Sequence, residues 1–402
     1  MTSLRIALVV QGRFHAFDLA RELSRRGHDV TIFTNYPAWA VRRFDVGCSR
    51  VRSCWAHGAA VRGLDRLPRA LKPHDAGPWV HRTFGRWAAR ALQGTSWDVV
   101  HCWSGVSEEL LTSPATRAGC TLLMRGSAHI AVQDAILQAE ETRAGCPLER
   151  PSPWMISRER REYELADRVV VPSSFARDTF AQSGVAPARV VCLPLGVDVR
   201  AFQPMAADVA ARAARIRGGD RLRVLYVGAL SMRKGLLDLE AALARVVDVP
   251  LDVRLVGTLT PEAAGALGRM DGRVAHRDAI AQRALPAEYR AADVFVFPTL
   301  EDGFGLVLTQ AKAAGLPVLC TTNCAGADLI REGEDGWIVP VRSADAIADR
   351  LRWCHAERDA LATITERAAG EFRPRDWSTV AGEFEVITRE CLATPARRAF
   401  SA

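Results

Sequence analysis

The sequence predicts an α/β protein built from two doubly wound, parallel-sheet domains, and three observations carry that prediction. The chain has 402 residues, too many for one compact core. Apolar strand-like runs alternate with helix-like segments along most of its length. The grammar of strand, turn and helix starts twice, at residue 4 and again near residue 222.

The first start is "LRIALVV", a continuous apolar run of the kind buried on both faces of a parallel sheet. "FHAFDLARELSRRGHDV" then places Phe17, Leu19, Ala20 and Leu23 near helical spacing, with Gly27 closing the helix and "VTIF" forming the next strand. Further strands are expected at "WDVVHCW", "CTLLMRG", "DRVVVPS" and "RVVCLPLG". The second start, "RLRVLYVGALSMRKGLLDLEAALARVV", leads to strands at "LDVRLVG", "DVFVFPT", "LPVLC" and "GWIVP". Helices such as "GLVLTQAKAAG" and "SADAIADRLRWCHAE" alternate with these strands. The boundary falls within 198–221, with "GVDVRAFQP" as the hinge. The last segment, "RDWSTVAGEFEVITREC", puts Trp377, Val380, Phe384 and Ile387 on one helical stripe.

Composition narrows the class. Hydrophobic residues at 49% and charged residues at 25% describe an ordered globular chain rather than a disordered one. With 53 basic and 46 acidic residues the net charge is +7, which suits an anionic partner without selecting one. No pair of the ten cysteines has Cys-x-x-Cys spacing, and Cys102, Cys192 and Cys320 lie in strand-like runs, so buried reduced thiols are expected. "MTSLRIALVV" runs straight into a strand, and no stretch has the roughly 18 apolar residues of a membrane span. These features predict a cytoplasmic protein, in contact with a membrane only from the inner face.

Open α/β sheets bind ligands beyond the carboxyl ends of their strands, so two such domains create a cleft for two substrates. In the second domain, "VFVFPTLEDGFGLVLTQAKAAGLPVLC" reads as strand, polar loop and helix. Gly303 and Gly305 let an oxyanion approach the N–H groups at the helix start, where the dipole also favours negative charge. Glu301 and Asp302 would repel phosphate and are expected to face sugar hydroxyls; Gln310, two turns into the helix, could reach a ribose. In "VGALSMRKGLLDLEAAL", Arg233 and Lys234 open a helix, where cations oppose the dipole unless an anion lies between them. Two cations on a pyrophosphate would stabilise its departure. Structural glycines and a solvated Arg-Lys pair are the plainer readings of the same residues.

At these residues the chain resembles a family. "EDGFGLVLTQAKAAGLPVLCT", "VGALSMRKG" and "LPLGVDVRAF" are similar to glycosyltransferase family 4 (glycosyl transferases group 1). The resemblance extends over nearly all of the chain, is most specific in the second domain and is loose over 36–95. It implies a GT-B fold and retaining transfer from a nucleotide-diphosphate sugar, without a cofactor or metal. It also implies an acceptor-side domain at 1–198, a donor domain at 199–375, and a helix at 376–402 packing back on the first domain. Lys234 matches the lysine on the donor diphosphate, and Gly303, Phe304 and Gly305 match the loop over the sugar and distal phosphate. The paired glutamates of the family, eight apart, are Asp302 and Gln310 here, and Ala229 stands where many members carry arginine. Arg233 is expected to supply that missing charge. His276, Arg277 and Asp278 match the loop that holds the base.

In the first domain, Gln11-Gly12-Arg13 follows the first strand and resembles the glycine loop against the donor phosphates. The further glycines of a dinucleotide fingerprint are missing, as is a P-loop lysine, which weighs against dehydrogenases and P-loop enzymes. His129, with Arg125, Gly126 and Ser127 around it, matches the histidine beside the transferred sugar; His101 and Arg125 belong to the acceptor side. A lone histidine at a strand end is more often structural than catalytic. No Asp-x-Asp pair occurs, which supports metal-independent transfer.

Residues 51–92 carry Arg52, Arg62, Arg66, Arg69, Lys72, Arg82, Arg86 and Arg90 against Asp65 and Asp75, with Trp79, Phe84 and Trp87 interleaved. Such a stretch suits an anionic membrane and a lipid-linked acceptor, or else is a surface helix with its aromatics tucked in. The expected partners are a nucleotide-sugar donor and a hydroxyl acceptor (glycan, glycolipid or small molecule), with no nucleic acid. A role in polysaccharide or glycoconjugate biosynthesis follows from the resemblance. The alternatives are a GT-B sugar-nucleotide epimerase or a degenerate binding protein, the second kept open by the departures at Ala229, Asp302 and Gln310; a phosphorylase is disfavoured, since no cofactor-lysine signature is present.

Overall fold

The computed structural model describes residues 2–47, 50–67, 76–219, 221–270 and 272–394. Its strands form two sheets, and every pairing in both is parallel. The first holds β1 (Arg5–Val10), β2 (Asp29–Thr34), β3 (Arg50–Ser53), β4 (Ser96–Trp103), β5 (Arg117–Met124), β6 (Arg168–Val171) and β7 (Val190–Cys192). Its order is β3-β2-β1-β4-β5-β6-β7. The second holds β8 (Leu222–Val227), β9 (Leu251–Val256), β10 (Val274–Arg277), β11 (Val294–Phe297), β12 (Val318–Thr321) and β13 (Gly336–Val339), in the order β10-β9-β8-β11-β12-β13.

Both sheets reverse their strand order at one point, between β1 and β4 and between β8 and β11. Such a switch point opens a crevice at the carboxyl ends, because the connections on either side leave in opposite directions. The segments singled out in the sequence follow from these strands: Gln11-Gly12-Arg13 after β1, Arg233-Lys234 after β8, and the glycine loop after β11.

Two strands were not legible as such. β3 ("RVRS") and β10 ("VAHR"), read in the latter case as a loop, lie at sheet edges and alternate exposed with half-buried residues. Edge strands carry polar side chains that discourage further pairing, and so lack the apolar run that identifies a central strand.

Each sheet is covered by helices and has its own apolar core. The helix Trp377–Ala393 contributes Val380, Ala381, Phe384 and Cys391 to the core of the first sheet, although it follows the second in sequence. Asp376 caps it by accepting from Thr379 N at 2.8 Å, and Glu385 on the same helix pairs with Arg26 at 2.8 Å. The chain crosses back at Val197, whose N–H donates to Arg375 O at 3.0 Å.

The nine cysteines among the described residues are all free thiols; Cys48 lies outside them. Within the basic stretch, Phe84 is buried and Trp87 packs on it with ring centres 5.5 Å apart, whereas Trp79 is 51% exposed. Arg69, Lys72, Asp75 and the side chain of Asp65 lie outside the described residues. No helix among the described residues is long and apolar enough to cross a membrane.

Candidate active site

The residues after β8 form a one-turn 3-10 helix, Met232–Lys234, before the longer helix Leu236–Arg245. Arg233 and Lys234 therefore sit one turn ahead of the helix they were expected to open. Ser231 caps the turn, accepting from Lys234 N at 3.3 Å. Gly235, at φ +76°, lets the chain turn against the end of β11; a Cβ there would lie 1.8 Å from Pro298 O. Glycine is required at this position for both reasons.

This turn brings both cations onto the glycine loop. Lys234 Nζ is 2.6 Å from Asp302 Oδ2, and Arg233 Nη2 is 2.6 Å from Glu301 Oε2. Asp302 Oδ1 also accepts from Phe304 N at 3.0 Å and Gly305 N at 2.8 Å. Both acids, expected to face neutral hydroxyls, are engaged by cations here, and the Asp302 carboxylate also occupies the helix-start N–H groups offered to an oxyanion. Burial pushes the Asp302 carboxyl up, but Lys234 and the N–H of Phe304 outweigh it and hold it below its ordinary range. The same balance, set by Arg233, Ser127 and Ala128 against burial, lowers Glu301.

Glu301 is fully buried and belongs as much to the first domain as to the second. It accepts from Ser127 Oγ, from Ala128 N at 3.0 Å and from Gln133 Nε2 at 3.1 Å. Gly303 approaches the first domain more closely still, since a Cβ on it would lie 2.0 Å from Gly126 O. Its own carbonyl accepts from Ser173 Oγ at 2.6 Å. Two further ion pairs cross the cleft, Arg143 to Asp238 at 2.6 Å and Arg342 to Glu140 at 3.3 Å.

Beside these contacts lies a cavity of about 460 Å³ lined by both domains, with Arg125, Gln133 and Glu159 on one side and Ser231, Arg233 and Lys234 on the other. Arg125 is fixed there by Glu159 at 2.9 Å and by Gln133 Oε1 at 2.7 Å. The structure thus joins Arg233, Lys234, Glu301, Asp302, Gly303, Phe304, Gly305 and, across the cleft, Arg125.

Other expected residues are placed differently. His129 is the N-cap of the helix Ile130–Ala144, its Nδ1 accepting from Ala131 N at 3.3 Å. Its ring packs against Tyr163 and Phe180, and it lines a separate depression with Arg160 and Arg189. Burial, then Arg125 and Arg160, lower its pKa to about 4, so it is neutral at pH 7. The cap and the aromatic packing account for its orientation. His101 is buried between Trp103 and Phe384, bonded to Leu122 O at 3.0 Å, with a pKa near 3 caused by burial and by His15.

Gln310 is buried and its Oε1 accepts from Tyr289 Oη at 3.0 Å. His276 Nε2 contacts Gly257 O at 2.9 Å, at the end of β9; Arg277 turns to Glu288 at 2.8 Å, and Asp278 is exposed. Gly12, at φ +102°, donates its N–H to Asn35 Oδ1 at 2.8 Å, and its carbonyl accepts from Thr34 Oγ1. Ala229 borders the cavity beside Arg233. Gln133 and Glu159 were missed by the sequence reading, and Ser127 was read only as a neighbour of His129, because 168 to 174 residues separate Gln133 and Ser127 from the loop they bind.

Two family models match the chain in succession: "Glycosyltransferase Family 4" over residues 13–201 and "Glycosyl transferases group 1" over residues 221–357. The chain belongs to glycosyltransferase family 4. A relative, the GDP-mannose-dependent alpha-(1-6)-phosphatidylinositol monomannoside mannosyltransferase of Mycobacterium tuberculosis, is 31% identical over 244 residues. That match covers 57% of this chain and spans 61% of the relative's length. The D-inositol 3-phosphate glycosyltransferase of Xylanimonas cellulosilytica is 28% identical over 95% of this chain and 92% of its own. Among solved structures, sucrose-phosphate synthase from Thermosynechococcus elongatus superposes with a TM-score of 0.69 at 21% identity, covering 96% of this chain and 99% of that one. The Anabaena protein HepE, solved with UDP and glucose, does so with a TM-score of 0.65 at 15% identity, covering 96% and 100%. Two parallel-sheet, Rossmann-like domains in this arrangement are the GT-B fold of family 4.

Proposed function

We propose that this chain transfers a sugar from a nucleotide-diphosphate sugar to a hydroxyl acceptor, with retention of anomeric configuration. The observation that carries the reading is the convergence of Arg233, Lys234 and the Gly303–Gly305 loop at the switch point of the second sheet, beside a cavity both domains line. Two cations beside a helix start suit a diphosphate leaving group. A diphosphate that took Lys234 would compete with Asp302 and release that carboxylate to face the hydroxyls of the donor sugar. The bond from the anomeric carbon to the distal phosphate breaks, the bond to the acceptor oxygen forms on the same face, and the acceptor proton passes to the departing phosphate. Positioning and charge stabilisation are what the protein contributes, and the two side-chain cations supply the charge without a metal. Gln310, on the helix beyond the loop, would serve as the ribose contact, and His276, in β10 with its ring on Gly257 O, as a base contact.

For the acceptor we propose a phosphorylated polyol of the inositol phosphate class, free or lipid-linked, because the activities of both relatives share a phosphoinositol unit. A membrane-borne acceptor is supported by Phe14, Trp39, Trp55 and Trp79, all more than half exposed in the first domain and interspersed with arginines. Arg43 stacks on Trp39 at 4.8 Å. Aromatic rings and arginines together suit an anionic bilayer interface.

The test is a panel of UDP-, GDP- and ADP-sugars incubated with inositol phosphate and phosphatidylinositol mannoside acceptors, with released nucleoside diphosphate as the readout. Release from one donor, increased by one acceptor, supports transfer. Conversion of a donor to its epimer without acceptor, or binding with no turnover across the panel, would replace this reading with the epimerase or the degenerate protein.

A further inference from the structure

We infer that Glu301 is a positioning residue that makes the cation site of the second domain depend on contact with the first. This rests on the reading of Arg233 as a diphosphate contact. Three of the groups on the Glu301 carboxylate (Ser127 Oγ, Ala128 N and Gln133 Nε2) come from the first domain, and the fourth is Arg233. Among the described residues, Arg233 has no first-domain carboxylate to hold it; its side-chain contacts are Glu301 and, at 3.3 Å, Ser127 Oγ. The guanidinium is therefore oriented by a side chain that is itself oriented across the cleft.

The chain of bonds continues inward. Gln133 Oε1 accepts from Arg125 at 2.7 Å, Arg125 pairs with Glu159 at 2.9 Å, and Glu159 accepts from Tyr163 Oη at 2.6 Å. Gln133, Glu159 and Tyr163 are buried, so this anchor is rigid. A fully buried carboxylate that loses its donors is costly. Separating the domains would strip Glu301 of Ser127, Ala128 and Gln133 together and leave Arg233 with a solvated, mobile partner. Closure thereby assembles the leaving-group site, and a donor bound to an open molecule meets Lys234 with Arg233 out of place.

Glu301→Gln keeps the shape of the side chain and removes its charge. In buffer alone, small-angle scattering should show a larger radius of gyration for the variant than for the parent. With the donor that the panel identifies, kcat should fall about tenfold or more while the apparent KM for donor changes less, as for an interaction realised in the transition state. The decisive comparison is a cycle with Arg233→Gln. If Glu301 acts through Arg233, the double variant is no slower than Arg233→Gln alone; full additivity overturns the inference. Should Glu301→Gln fold poorly, Ser127→Ala removes one anchor bond and should give the same effects at smaller amplitude. A parent that releases no nucleotide from any donor defeats the proposed function, but scattering still judges the latch, because unchanged dimensions in both variants overturn it.

Discussion

The seam between the two domains can be tested at one glycine. In Gly303→Ala the new Cβ would lie 2.0 Å from Gly126 O, 2.6 Å from Gly126 C and 2.7 Å from Ser127 Cα. An ordinary contact begins at 3.4 Å, so the shortfall is about 1.4 Å, and all three atoms are backbone. No rotamer relieves such a clash. Overpacking of this kind costs about 1–3 kcal/mol where the structure must shift. Here the shift available is separation of the domains, which also gives up the bond from Ser173 Oγ to Gly303 O and those from Ser127 and Ala128 to Glu301. Net losses of about 1 kcal/mol per hydrogen bond bring the effect to roughly tenfold or hundredfold in the closed population. Each domain keeps its own core, so denaturant unfolding should change little while turnover of the donor falls by that factor and the radius of gyration rises. Parent turnover with parent dimensions would refute the claim that Gly303 is required by close approach across the cleft.

Lys234→Ala should lower kcat by about a hundredfold or more, since it removes a charge aimed at the leaving group, and should also cost about 1–3 kcal/mol in denaturant unfolding, since the Asp302 carboxylate loses its cation; near-parent steady-state kinetics would remove the leaving-group role. Gln310→Ala removes the nearer acceptor of the Tyr289 hydroxyl and leaves it only Val307 O at 3.5 Å, which should cost about 1 kcal/mol in denaturant unfolding and also raise the apparent KM for donor. An unchanged KM would place the ribose elsewhere. His101 is held neutral, with its pKa lowered to about 3 from 6.5, so the unfolded chain binds the extra proton first and stability falls as pH drops from 6.5 toward 3. His101→Phe should lose stability less steeply than the parent between pH 6.5 and 4 in urea titrations; parallel curves would contradict it. Sedimentation with anionic vesicles should be strong at low salt and weak at high salt; no sedimentation at low salt would end the membrane proposal.

Most of the fold was legible because a central parallel strand announces itself. "LRIALVV" and "DVFVFPT" are buried on both faces and carry no polar alternation, as in β1 and β11. The edge strands β3 and β10 were not, since their half-exposed residues give no such run. The cation pair and the glycine loop could be found locally, from residue type at a strand end. Their partners could not: Lys234 meets Asp302 across 68 residues, and Ser127 meets Glu301 across 174. Charge patterning alone sent the two acids toward sugar hydroxyls, and gave no sign that buried carboxylates also take the nearest cations and N–H groups. His129 was placed by its match to a motif, and only the structure shows its nitrogen spent on a helix cap.

The central claim is sugar transfer powered by a diphosphate leaving group at Arg233 and Lys234. Its most direct test is mass spectrometry of the acceptor after incubation with the donor panel, run in parallel for the parent and Lys234→Ala. The account predicts an acceptor heavier by one sugar and an equimolar amount of nucleoside diphosphate with the parent, and loss of both in the variant. Donors that bind without modifying any acceptor, or transfer that is undiminished in Lys234→Ala, would contradict it.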